Sequence, residues 1–600
     1  MVLLCVARGR CMAFTTLGKG WAKRSYGAVR FSSILATEEQ IQPSVLTTAS
    51  LVNLITEGNR AVASILVNSL QIDESAVPVP VTAAVGNVKT KKAKKSGDDL
   101  LGNRVRLSNG VEGVIIAHRH PLAFVFVPRD AELLNTQHHH HHHDDKEAQS
   151  KEVEILKDVL RVTPDESLWQ SSPPVTCQDE RISSLDTGRA IFASIPTVAD
   201  IACIDEPFLT GVTAVDALTP IGKGQNMLLV AEGPAATRFI ASALQATQHK
   251  AKCVYASTVP RTIDLPSSVA LVTVQDSPSP IIRSAEAIFV AALACSIAEY
   301  WAQTCHEDSL VVVDTIDSMQ PFWDFTTRTL LDLYGDGAIA IGESSEMRAF
   351  YSTLVQRAAK YNAQLGSKSM TLALLTTLPT VASSDIVYQA SDFQQFNIKI
   401  RERVAILANQ NIPLTPAILQ KLDLPIPPSN EEEIARQKAL KFVDDLMSMT
   451  DGQIWWTPDN DQPDVRKSVT RIGVGADTKS RADAPAMVDL VGGLRFELAQ
   501  ATNTMATDAA TLKQLKRRDA YFLAMNQAPG TVRTLADHCI VLLSAKLGYL
   551  DDAQPNVVDE MLNHVSSNSK QAVTIINDTL EMSAEAREQL ERSLESFFSR

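Results

Sequence analysis

Leu228 to Leu244 reads LLVAEGPAATRFIASAL. An apolar strand, Met227-Leu228-Leu229-Val230, runs into a turn of small residues and then a helical stretch. That layout binds phosphate where glycines bring backbone N–H groups up to the anion and a lysine adds charge. The turn here is Glu232-Gly233-Pro234-Ala235-Ala236-Thr237-Arg238, with one glycine and no lysine. Asp314 closes the apolar run Ser309–Asp314. A carboxylate at a strand end can hold magnesium through water, but magnesium normally needs substrate phosphates as co-ligands, so a helix cap is the simpler reading. Arg471, in the stretch SVTRIG, is on composition alone an ordinary surface arginine. The run His138–His143 has the composition of a metal-binding tract or a tag. No second cluster fixes its geometry, and it reads as a solvated loop.

Six hundred residues, 45% of them apolar, are enough for several cores. The balance of 56 basic against 69 acidic residues makes the chain mildly acidic, and nothing in it favours nucleic acid as a partner. Eight cysteines lie scattered without a Cys-x-x-Cys pair, the usage of a reduced, intracellular protein. No unbroken run of eighteen apolar residues occurs, so no membrane span is expected. The first 37 residues carry Arg8, Arg10, Lys19, Lys23, Arg24 and Arg30 and no acidic residue before Glu38. That is the composition of an organelle transit peptide, and VRFSS at Val29–Ser33 resembles a mitochondrial processing site.

The elements that must position these residues follow from periodicity. Residues 50–72 are expected to form an amphipathic helix, weakened at Gly58, and Lys89–Asp99 a charged linker within an extension that ends near residue 100. Short β-rich runs from 101 to 208 predict a small antiparallel β-domain. From residue 209, apolar strands (NMLLV, CVYAS, ALVTV, SLVVVD) alternate with helical stretches, the pattern of an α/β domain around a largely parallel sheet, running to about 493. A Pro-rich stretch and a polar helix at about 385–445 read as a surface insertion. Residues 494–600 read as helical to the end.

EPFLTGVTAVDALTPIGKGQ (Glu206–Gln225) resembles the α subunit of F-type ATP synthase, in which the same Thr-Gly, Val-Asp, Pro-Ile-Gly and Gly-Gln precede the phosphate loop. Further segments agree in order: ACSIAEYW (Ala294–Trp301), SLVVVD, STLVQRAAKYN (Ser352–Asn362), MTDGQI (Met449–Ile454), SVTRIG (Ser468–Gly473) and LRFELAQ (Leu494–Gln500). Upstream, VRLSNGVEGVI (Val105–Ile115) resembles that subunit's β-barrel. The resemblance covers roughly residues 100 to 600. It implies a multidomain build of N-terminal β-barrel, central P-loop NTPase-type α/β domain and C-terminal α-helical domain. It also implies Mg-ATP or Mg-ADP as cofactor.

Matched to the family's Gly-x-x-x-x-Gly-Lys-Thr, this chain has Ala231, Ala236, Thr237 and Arg238. An alanine at a left-handed position costs roughly 1–2 kcal/mol, the missing lysine removes the charge facing the phosphates, and Pro234 removes an N–H donor. Sliding the frame to Gly233 would leave Arg238 as the cation, and a planar guanidinium replaces a lysine poorly there. Asp314 matches the Walker B carboxylate, but Thr315 stands where the family has a second acid. In MNQAPG (Met525–Gly530), Gln527 keeps one of two adenine-loop glutamines and Pro529 replaces the other. Arg471 matches the arginine that the α subunit extends to the catalytic site of its β neighbour, where a trans arginine stabilises charge on the transferring phosphoryl group. Arg328 and Arg357, elsewhere in the domain, are expected to tolerate replacement by lysine.

The reading implied is a non-catalytic α-type subunit of the mitochondrial enzyme, its own nucleotide site weakened or lost. The implied partners are catalytic β subunits, the central stalk and the peripheral stalk. The implied place is the matrix face of the inner membrane, reached through the complex. The alternative is an α-like pseudo-ATPase acting as a scaffold or assembly factor outside the ring.

Overall fold

The computed structural model describes residues 45–599 apart from internal stretches, the longest being 68–99, 131–151, 233–239, 245–250, 335–344, 380–387, 426–430, 479–483 and 499–508. The basic start, the charged linker, the histidine run, Pro234 and Pro529 lie outside the described residues. Six antiparallel strands come first: β1 (Val45–Glu57), β2 (Arg60–Val67), β3 (Asn103–Arg106), β4 (Glu112–Arg119), β5 (Leu122–Val127) and β6 (Glu152–Val159). They close into a barrel in the order β1-β2-β5-β4-β3-β6.

Two expectations fail here. Residues 50–67 form a hairpin rather than an amphipathic helix, and the barrel therefore begins near residue 45 rather than 101. Its strands pair outward from Glu57↔Arg60, with Gly58 and Asn59 between them. Gly-Asn is a two-residue hairpin signal, and alternation rather than a helical stripe follows it. Ala61, Ala63, Ile65 and Val67 fill the barrel, whereas Val62 joins the central core. Strand β5 is buried at all six positions for the same reason. Val125 and Val127 face the barrel interior while Phe124 and Phe126 pack outward under the α/β domain.

That domain is built on β7 (Asn226–Glu232), β8 (Lys252–Ser257), β9 (Val269–Thr273), β10 (Ser309–Asp314), β11 (Ser369–Leu378) and β12 (Gly452–Thr457). The order is β9-β8-β10-β11-β7-β12, and every neighbouring pair along it is parallel. Parallel strands need crossover helices on both faces, which is why the strands read as continuous apolar runs. The crossover helices include α2 (Pro280–Tyr300), α3 (Gln320–Tyr334) and α4 (Ser345–Gln356), and a short helix, α1 (Thr213–Leu218), precedes β7.

Helix α2 lies between the barrel and the sheet. Pro280 at its first turn and the Ser279 hydroxyl, which accepts from the Ile282 N–H, start it as expected of a capped helix. With its continuation to Cys305 it is long and apolar enough to cross a membrane by length and composition, at a mean hydropathy of 1.8, and 89% of that window is buried in the core. Two carboxylates interrupt it, Glu286 and Glu299, both fully buried. Glu286 pairs with Arg60 of β2 and accepts from the Cys177 thiol at 3.1 Å and the Gln275 N–H at 3.2 Å. Glu299 pairs with Arg357 at 2.6 Å and Arg189 at 2.7 Å.

The stretch 385–445 also departs from expectation. Tyr388, Phe393, Val404, Leu414, Leu419 and Leu424 make a separate small cluster around α5 (Ile398–Asn409). The following helix, α6 (Glu431–Met449), is not a surface appendage: Phe442, Val443 and Leu446 sit in the central core, making it the crossover between β11 and β12. The remaining helices, α7 (Ala509–Met525), α8 (Leu535–Leu547), α9 (Asn556–Asn568), α10 (Lys570–Thr579) and α11 (Ala584–Phe598), share a core that takes in Ala214 and Leu218 of α1.

Arg357 corrects a further expectation. Besides Glu299, its guanidinium donates to the Ile191 carbonyl at 3.0 Å, the Ala292 carbonyl at 3.1 Å and the Ser296 hydroxyl at 2.7 Å, wholly inside the core. Lysine cannot reproduce a planar fork with that many directed donors. Arg357→Lys should therefore cost about 3–5 kcal/mol, the range for a broken buried pair. Arg328→Lys, on an exposed site, should stay within about 0.5 kcal/mol of wild type. Denaturant midpoints at constant slope give both values.

Candidate functional site

The C-terminal ends of β7, β10 and β11 lie side by side, the edge at which open parallel sheets bind ligands. Ala231 sits there inside the sheet, paired with Thr377 on one side and Trp456 on the other, and almost wholly buried. It is not among the residues with positive φ, so the steric cost expected of a left-handed alanine does not arise at this position. Gly233, Ala236, Thr237 and Arg238 lie outside the described residues.

Asp314, at the end of β10, is buried. The Tyr255 hydroxyl donates to Oδ2, and the Thr315 hydroxyl donates to Oδ1 at 3.0 Å. Each carboxylate oxygen thus already holds a protein donor. Thr315 has φ 58°, a left-handed conformation that a β-branched residue adopts only under constraint. The Thr258 hydroxyl fastens this turn by reaching the carbonyls of Asp314 at 2.5 Å and Thr315 at 2.7 Å. Among the described residues no group of three or more His, Cys, Asp or Glu is placed to hold a metal. A single carboxylate with both oxygens engaged by hydroxyls does not fit magnesium by itself, since that ion takes near-octahedral oxygen ligation.

Gln527 belongs to a different arrangement. Its amide nitrogen donates to the carbonyls of Gly211 and Thr531, each at 2.8 Å, and its oxygen accepts from the Thr213 N–H at 3.2 Å. It therefore ties the C-terminal helices to the start of α1. Its neighbours complete the joint. Arg533 Nη1 donates to Thr213 Oγ1 at 3.0 Å, Thr213 Oγ1 meets His538 Nδ1 at 2.9 Å, and His538 Nε2 meets Asp216 Oδ2 at 3.0 Å. The Asp216 carboxylate only accepts, so Nε2–H donates to it and Nδ1 accepts from the Thr213 hydroxyl. Asp216 also accepts from the N–H groups of Thr210 and Gly211 at 3.0 Å. Sequence reasoning missed Arg533 and His538. A histidine leading into an apolar helical run, HCIVLL, was the available signal.

Arg471 sits elsewhere. It follows the short strand pairing Gly452↔Thr470, so it lies at the end of the sheet where β7 and β12 begin. Asp451 is tied there to Asn226, the first residue of β7, at 2.8 Å. The run of strand β7 from Asn226 to Ala231 separates that edge from Ala231 by about 17 Å at the usual rise per residue. The exposed guanidinium donates to the carbonyls of Met447, at 3.0 Å, and Thr450. These are unpaired carbonyls at the C-terminal end of α6, where a cation is favoured. Burial raises the Asp451 carboxyl above its ordinary range, with the Asn226 bond and Arg471 opposing. Val469 and Ile472, flanking Arg471, each leave more than a third of their surface exposed. The structure thus brings Ala231 and Asp314 to one edge, places Arg471 at the other, and gives Gln527 to the interdomain joint.

No protein-family profile matches the chain. It is similar to ATP synthase subunit alpha of Thiobacillus denitrificans, 24% identical over 440 residues, which is 68% of this chain and 74% of that one. Subunit alpha of Dehalococcoides mccartyi is 24% identical over 434 residues, with 69% and 74% covered. ATP synthase subunit alpha 2 of Legionella pneumophila is 26% identical over 437 residues, with 67% and 72% covered. Over about two thirds of its length the chain is thus a distant relative of ATP synthase α subunits.

The joint at Gln527 and the cap at Arg471 differ in burial, and their replacements should differ accordingly. Gln527→Ala strips partners from the Thr213 N–H and the Gly211 carbonyl and should destabilise by about 1–3 kcal/mol. Arg471→Lys, at an exposed helix end, should cost less than about 1 kcal/mol. Chemical denaturation of the full chain reads both, and equal losses would contradict this assignment.

Proposed function

We propose that this chain is a non-catalytic α-type subunit of a mitochondrial F-type ATP synthase, with its own nucleotide site weakened or lost. Arg471 carries the reading. It stands on an exposed turn flanked by Val469 and Ile472, a β-strand's length from the chain's own loop. An arginine so placed has no access to a phosphate bound at Ala231, but is free to meet one bound by a neighbour. The distant similarity to α subunits and the collinear motifs support the ring as its place. The loop residues Ala236, Thr237 and Arg238, the committed carboxylate of Asp314 and the structural use of Gln527 support the loss of the chain's own Mg-ATP site. The acid-free, arginine-bearing start supports import into mitochondria and residence on the matrix face of the inner membrane. Catalytic β subunits and the two stalks are the partners on this reading.

In the ring, Arg471 would exchange the Met447 and Thr450 carbonyls for the oxygens of a phosphoryl group in transfer on the β neighbour. The bonds given up are worth about 1 kcal/mol each, whereas a trans arginine contributes roughly 10³–10⁵ in rate in related phosphoryl-transfer enzymes. Arg471→Lys keeps the charge and loses the fork. Complexes carrying it should assemble normally and turn over ATP at least about a hundredfold more slowly, the lower end of what a removed charge-stabilising donor costs. Assembly with an unchanged rate would favour the scaffold reading, to which the extra α5 cluster lends itself as a docking module.

A further inference from the structure

A cavity of about 380 Å³ opens beside the ends of β10 and β11, between α3, α4 and α6. Trp323, Phe442 and Met347 contribute its apolar wall, and Asp317, Asp324 and Lys438 its charges. Its volume falls within the range of small-molecule sites, and its lining, apolar with a few convergent polar groups, is of their kind. It is not a second phosphate site, because two carboxylates face it. Nor does it suit a metal, since among the described residues no three ligating side chains come together.

The charges are unequally satisfied. Lys438 at the rim is paired with Asp324 at 3.1 Å, both well exposed. Asp317 accepts only neutral donors, the Thr376 hydroxyl at 3.2 Å among them, and no lysine, arginine or histidine among the described residues pairs with it. Burial pushes its carboxyl above the ordinary aspartate range. The cavity therefore holds one carboxylate beyond what Lys438 neutralises, next to indole and phenyl groups whose faces attract cations. We propose that this cavity is a binding site for an organic monocation, an ammonium carried on an apolar body, with the charge at Asp317 and the body against Trp323 and Phe442. Nothing in the ring assignment requires this site, and its test does not depend on that assignment.

Phenethylammonium is a suitable probe, with 2-phenylethanol as its neutral counterpart. Calorimetry on the full chain should show saturable binding of phenethylammonium in the millimolar range or tighter, and at least about tenfold weaker binding of the alcohol, as expected when a charge-assisted bond is lost. Asp317→Asn should lower phenethylammonium affinity by a similar factor while leaving the alcohol unaffected. Ala439→Phe, which fills the cavity from the α6 side, should abolish both and is the independent variant if Asp317→Asn fails to fold. No saturation by wild type, equal affinity for amine and alcohol, or full binding by Ala439→Phe would each overturn the proposal.

Discussion

The fold depends on helix Pro280–Tyr300, which is apolar enough for a membrane and lies in the middle of a packed protein with two carboxylates in it. A buried carboxylate is tolerated only where cations and hydrogen-bond donors surround it. Glu286 finds them in Arg60 of the barrel, in Cys177 and in the backbone before the helix. Glu299 finds them in Arg357 and Arg189. Since each acid draws its arginine from a different part of the chain, neutralising the helix also fixes where the barrel and the connecting segments sit. The aromatic layer under the barrel, with Phe126 against Phe289 at 5.8 Å and Phe124 against Phe322 at 6.0 Å, then packs against a surface already in register.

Function on this account follows from the two ends of one sheet. At the C-terminal edge the residues that would serve a nucleotide are engaged with each other: Asp314 with Tyr255 and Thr315, and Ala231 with strand neighbours on both sides. At the opposite edge Arg471 is held by the frayed carbonyls of a helix, bonds that are easily exchanged at an exposed site. On the proposed assignment, such a subunit would contribute to a neighbour's chemistry without performing its own. The joint of Gln527, Arg533, Thr213, His538 and Asp216 holds the helical C-terminal region on α1. In this structure the matched adenine-loop position has a structural use.

Much of this was legible in the residues. The parallel strands announced themselves as apolar runs, and the helical C-terminal region by its lack of β-branched clusters. What failed had physical causes. Residues 50–67 contain apolar positions that satisfy a helical stripe and a strand alternation at once, and pairing with β5 and β6 decides for the strand. The helix Glu431–Met449 is polar over most of its surface, so its three core residues carried too little signal to show that it bridges two strands of the sheet. Arg357 looked like any arginine after a helix, because partners such as Glu299 and the Ile191 carbonyl are distant in sequence. The same holds for Gln527, whose partners Gly211 and Thr213 lie more than three hundred residues away.

Native mass spectrometry of the processed chain mixed with catalytic β-type subunits and Mg-ATP tests the central claim most directly, because one spectrum reports both ring composition and nucleotide occupancy. The account predicts an alternating ring of the two chains, with bound nucleotide matching the number of β-type subunits alone. A chain that stays apart from the β-type subunits, or that carries one nucleotide per copy of itself, would contradict it.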